Sequence, residues 1–243
     1  MNKNPSLYFL RFYLSCVVIF LHWHGVLTEN SFFKNIVRPF SDSGLALDVF
    51  FVLSGYFITS DLMLSKKNES VNLTFKNKIA IFYIKRIFRI FPVYFLLLAI
   101  LFTLNWPEIR PNIFYYVFFN ANYLIYKNAI WNNLSHIWSL SIEEQFYLIW
   151  PFIILLVPFK KLLPTLIVLT TISVSYYFYS LHLNYWLSIL LPSCFFALCV
   201  GGILAIIKIS YPVCLQSVIF SCLLFSILAI KFIYKSQFFN FAL

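Results

Sequence analysis

The stretch FLRFYLSCVVIFLHWHG, residues 9–25, decides how the chain is read. Its length is that of a bilayer-crossing helix, which takes about 20 apolar residues. It nevertheless holds Arg11 near one end and His22 and His24 near the other. Hydrocarbon penalises ionisable side chains, and those that persist in a span usually face a protein interior or a water-filled path and have a task there. Arg11 and His22 are separated by about three helical turns, roughly 16 Å, and so return to nearly the same face. His24 points to a different side. Arg11 alone could equally snorkel to the headgroups. The run is read as a retained span and not as a cleaved signal. Its apolar core is too long, Arg11 lies inside it, and HWHGVLTEN offers no small-x-small cleavage site.

The rest of the chain has the same character. Of 243 residues 62% are hydrophobic, 21% aromatic and only 11% charged, with a mean hydropathy of +0.85. These values exclude an ordinary soluble domain and give an all-α, polytopic transmembrane helix bundle. Apolar runs near 7–27, 44–64, 87–105, 142–158, 162–181, 185–207 and 212–233 predict about seven spans in one domain, residues 1–243. The aromatic segment 112–126, interrupted by Asn120 and Asn122, is expected to be interfacial or re-entrant. The formal net charge of +10 lies mostly in breaks between the runs, above all at Lys66, Lys67, Lys76, Lys78, Lys85, Arg86 and Arg89. Such a distribution orients spans and does not suggest a nucleic-acid partner; it puts the 65–89 break and the N-terminus on the cytoplasmic side. Lys160, Lys161 and Lys208 fall on that side too. Cys16, Cys194, Cys199, Cys214 and Cys222 lie within apolar runs without ligand spacing, so they are expected to pack, with no metal site.

Three further stretches carry polar groups that a span does not need. In SDSGLALDVFFVLSGYFIT, residues 41–59, Gly44, Ser54 and Gly55 suit close helix packing, but Asp48 is a carboxylate that requires a partner. In FYIKRIFRIFPVYF, residues 82–95, Arg86 and Arg89 at i, i+3 can share one helix face. They read either as a headgroup-binding stop signal or as an anion clamp, since paired guanidiniums grip phosphates. In NNLSHIWSLSIEEQFYLIWP, residues 132–151, Ser139 and Glu143 stand at i, i+4, with His136 before them and Glu144 next in line. Carboxylates are favoured at a helix N-terminus, which is a structural reason for the pair, though two acids exceed what capping needs. Trp138, Tyr147 and Trp150 are expected to join an interfacial aromatic belt.

Taken together and in this order, Arg11 with His22, DVFFVLSGYFI at 48–58, Arg86-x-x-Arg89 running into IFPVY, and HIWSLSIEEQFYLIWP at 136–151 resemble the integral-membrane acyltransferase 3 family. That group includes bacterial O-antigen and exopolysaccharide O-acetyltransferases. The resemblance implies transfer of an acetyl group from cytoplasmic acetyl-CoA to a hydroxyl of a cell-surface or lipid-linked glycan, at the bacterial inner membrane. His22 would be the base on the acceptor hydroxyl, with Arg11 beside it. Arg86 and Arg89 would bind the acyl donor, and Glu143 would be a further functional acid. Asp48, Ser54, His136, Ser139 and Glu144 would support them. The implied partners are membrane lipid, acetyl-CoA and a carbohydrate acceptor, with no permanently bound cofactor. Family domains usually have about ten spans, more than are counted here, so an inactive short member is one alternative. A transporter or flippase of the same glycan pathway is another, since ionisable residues in several spans also suit a substrate path.

Overall fold

The computed structural model describes residues 43–67 and 74–210, with four isolated positions of the first apolar run, 9, 12, 13 and 16. Arg11, His22 and His24 therefore lie outside the described residues, as do the run at 212–233 and Cys214 and Cys222. The described chain forms seven α-helices: α1 Ser43–Lys67, α2 Phe75–Thr103, α3 Ile113–Val117, α4 Ala121–Asn128, α5 Ile137–Leu156, α6 Phe159–Leu183 and α7 Leu191–Ser210. Single 3-10 turns at Arg110–Asn112 and Tyr185–Ile189 complete it. Five helices, α1, α2, α5, α6 and α7, are long and apolar enough to cross a membrane. The chain is a multi-pass helical membrane protein. The 112–126 segment is no span: it folds as the five-residue α3 and the eight-residue α4.

Two helices begin well before their apolar runs. Thr74 caps α2, its Oγ1 accepting from the Asn77 backbone N–H at 3.3 Å, so the helix starts well before position 87. Its 29 residues reach about 43 Å, longer than the ~30 Å hydrocarbon core, and the first turns carry the lysines beyond it. Helix α5 begins at Ile137, ahead of the apolar run at 142–158 and in keeping with the i, i+4 spacing of Ser139 and Glu143, which places Glu143 and Glu144 beyond its first turn.

Side-chain register fixes the relative directions. Ser54 meets Glu143, Thr59 meets Trp150, and Lys66 meets Ile154 and Val157, so α1 and α5 run parallel. Tyr83 donates to the Leu148 carbonyl at 2.9 Å while Phe75 faces Phe152, so α2 is antiparallel to α5. Leu166 lies against Gly202 while Ser193 Oγ donates to Ser180 Oγ at 3.4 Å, so α6 is antiparallel to α7. Lys66, Lys67, Lys76, Lys78, Lys160, Lys161 and Lys208 consequently all belong to one basic end. At that end Lys66 donates to the carbonyls of Ile154 (2.7 Å) and Val157, satisfying acceptors that the last turn of α5 leaves open.

The closest packing is between α1 and α7. A Cβ on Gly55 would collide with the Leu198 carbonyl oxygen, and one on Gly201 with the Val52 carbonyl and the Tyr56 backbone nitrogen. Gly202 lies under Trp150, whose Cζ2 would be 2.7 Å from an added Cβ. Lipid supplies no hydrophobic drive between helices, so close approach through small residues provides the attraction. Gly201→Ala should lower stability by about 1–3 kcal/mol, the cost of overpacking. Chemical or thermal unfolding in detergent measures this, with Ala205→Gly as a comparison on the same helix.

Candidate active site within the helix bundle

Glu143, Tyr147 and Trp150 follow one another at i, i+4 and i+7, so they share the α5 face that meets α1. Glu143 is 5% exposed. Ser54 Oγ of α1 donates to its Oε1, and Tyr147 OH donates to its Oε2 at 3.0 Å. One turn deeper, Trp150 Nε1 donates to Thr59 Oγ1 at 2.8 Å. This pair of hydroxyl donors fixes the plane of the Glu143 carboxyl group from two helices. Ser54 reaches it because the neighbouring Gly55 lets α1 seat against α7.

Tyr147 also links Glu143 to α2. The Arg86 guanidinium lies 3.8 Å from the Phe82 ring centroid and 5.5 Å from that of Tyr147, and its Nη1 donates to the Phe82 carbonyl at 3.4 Å. Such cation–π contacts hold a guanidinium in an apolar setting. Arg86 is half-buried while Arg89 is exposed, so the two arginines part company: one enters the bundle and the other does not. Asp61 and Glu144 both act electrostatically on Arg86. Glu144 Oε1 is buried without a hydrogen-bond partner.

The remaining expected residues lie apart from this group. Asp48 is buried nearer the end opposite the lysines. His136 is exposed just before α5, and Ser139 Oγ donates to its carbonyl at 3.0 Å, a local bond that does not reach Glu143. Neither acid caps α5, whose first turn holds no acidic residue, so the N-terminal explanation for the Glu pair fails. The belt expected at Tyr147 and Trp150 is also corrected: both are buried in the core, 6% and 0% exposed, because their polar atoms bond to Glu143 and Thr59 inside the bundle.

Sequence reasoning missed a second polar group. Gln145 Nε2 donates to the Phe119 carbonyl (2.9 Å), Asn122 Oδ1 (3.0 Å) and Asn120 Oδ1 (3.2 Å), while Ser141 Oγ accepts from the Ala121 N–H at 3.2 Å. These bonds pin the start of α4 to α5. The two asparagines interrupting an aromatic run were the available signal.

The family model for the acyltransferase domain matches residues 4–241. A peptidoglycan O-acetyltransferase of Listeria monocytogenes is 36% identical over 124 residues, covering 44% of this chain and 19% of that protein. A Bacillus subtilis protein provisionally named a peptidoglycan O-acetyltransferase is 34% identical, covering 44% of this chain and 18% of its own length. A Staphylococcus aureus protein provisionally named an O-acetyltransferase is 32% identical over 133 residues, 48% of this chain and 21% of its own. The aligned stretch thus spans about a fifth of each relative. No solved structure matches.

Tyr147→Phe and Ser54→Ala each leave one Glu143 oxygen without its donor, at an expected cost of about 1–3 kcal/mol. Unfolding of both single variants and the double variant should show losses that do not add, because the two hydroxyls share one carboxylate.

Proposed function

Because the chain belongs to the acyltransferase 3 family, we propose that it transfers an acetyl group from acetyl-CoA to a glycan hydroxyl. One observation carries the reading best: Ser54, Glu143, Tyr147 and Arg86 form a continuous polar connection across α1, α5 and α2. A buried carboxylate is costly inside a span, and ionisable groups there mark pathways and reaction sites.

The basic end faces the cytoplasm under the positive-inside rule. The donor, a polyphosphate, enters there, and half-buried Arg86 and exposed Arg89 of α2 grip its phosphates. The acceptor comes from the opposite side of the plasma membrane. Its hydroxyl attacks the thioester carbonyl, His22 takes the proton, the C–S bond breaks and the CoA thiolate leaves, to be protonated by the imidazolium. Arg11 is proposed to act beside His22. The names of the Listeria and Bacillus proteins favour peptidoglycan as the acceptor over an O-antigen.

Purified protein in proteoliposomes, given radiolabelled acetyl-CoA and a cell-wall glycan fragment, should release CoA and label the glycan. His22→Ala should abolish transfer, and Arg86→Ala should raise the acetyl-CoA KM about tenfold or more, the loss of a charge-assisted contact. Glycan movement across the bilayer without donor consumption would instead indicate a transporter.

A further inference from the structure

Adjacent carboxylates on α5 meet different surroundings. Glu143 is saturated, each oxygen receiving a hydroxyl from Ser54 or Tyr147. Glu144, one residue on, is turned by about 100° around the helix. Its electrostatic neighbours are Glu143, Arg86 and Tyr94, the last two on α2. Arg86 does not close on it, since the guanidinium is seated on the Phe82 ring and the Phe82 carbonyl. Glu144 Oε1 is left buried with no donor.

A buried acceptor without a partner is costly, and more so inside a membrane. The fold satisfies the neighbouring acid, whereas this oxygen is left open to a donor from outside the chain. We propose, resting on the glycan acyltransferase reading, that Glu144 Oε1 accepts the hydrogen bond of the glycan hydroxyl to be acylated. Glu143 is then a positioning residue that holds α1 and Tyr147 in place. The chemistry of the surroundings selects the ligand class. Two adjacent carboxylates disfavour an anion, and Arg86 disfavours a second cation, which leaves a neutral hydroxyl donor. Glu144 stands about 10 Å along α5 from its start at the end opposite the lysines, the side from which the acceptor arrives.

The test uses the full chain in lipid nanodiscs, with triacetylchitotriose as the probe and wild type, Glu143→Gln and Glu144→Gln compared. Without probe, Glu144→Gln should unfold at or above the wild-type temperature, because no hydrogen bond is lost. Glu143→Gln should unfold lower, because its amide presents a donor to a hydroxyl donor. The probe should raise the unfolding temperature of wild type and of Glu143→Gln, but not of Glu144→Gln. In transfer assays Glu144→Gln should raise the acceptor KM about tenfold while the acetyl-CoA KM stays unchanged. An equal probe-induced shift in wild type and Glu144→Gln, no shift in wild type, or a Glu144→Gln destabilisation matching that of Glu143→Gln would each overturn the proposal. Wild type that binds the probe through Glu144 but transfers no acetyl group would sustain this site and remove the enzymatic reading.

Discussion

Where α1 crosses α7, glycine allows main chain to lie against main chain: Gly55 against the Leu198 carbonyl, Gly201 against Val52 and Tyr56. The hydrogen bonds that tie α1 to α5 sit beside that approach. With α1 drawn in, Ser54 reaches Glu143 and Thr59 reaches Trp150, so α5 is bonded to α1 at two levels while α7 closes over the Trp150 ring. A side chain larger than hydrogen at Gly55 would push α1 outward and leave the Glu143 carboxylate without its α1 donor. In a lipid solvent, where apolar contact between helices gains little over contact with acyl chains, such short distances and internal hydrogen bonds set the arrangement.

The helical class and five of the spans were legible from hydropathy, because hydrocarbon accepts only backbone that bonds to itself. Hydropathy marks where a segment enters the membrane, not where its helix starts; the capped, lysine-rich first turns of α2 lie outside the apolar run for that reason. Spacing proved a good guide to faces and a poor one to neighbours. Arg86 and Arg89 are three residues apart, yet one packs on aromatic rings in the bundle and the other is exposed, a difference set by where α5 lies beside α2. The acids at 143 and 144 look equivalent on paper. Their difference depends on Ser54, eighty-nine residues away in sequence. The proposed base, His22, and Arg11 were legible as ionisable side chains within an apolar run.

Aromatic residues show the same limit. Trp138, Tyr147 and Trp150 lie within one α5 run, and a belt is the ordinary fate of such residues in a membrane protein. Only Trp138 stays partly exposed, at the first turn, with its ring edge-on to Phe51 at 6.3 Å. The deeper two each have a polar atom that needs a partner when buried, and α1 or α5 provides one. On the other side of α5, Gln145 gathers the Phe119 carbonyl and two asparagines with a single amide nitrogen, so short segments that could not stand alone in a membrane are held at its rim.

Lys66 joins the basic ends of α1 and α5 through the carbonyls of Ile154 and Val157, and not through any side chain of α5. Those acceptors are present whatever residue occupies either position. Point mutation in α5 can therefore alter the chemistry of the site while the axial alignment of the two helices survives. Insertion or deletion between Glu143 and Val157 would instead rotate the carbonyls by about 100° per residue and break it. The alignment thus tolerates drift in composition and resists change in length, and divergent sequences built this way should keep the spacing from acid to helix end more faithfully than the residues between.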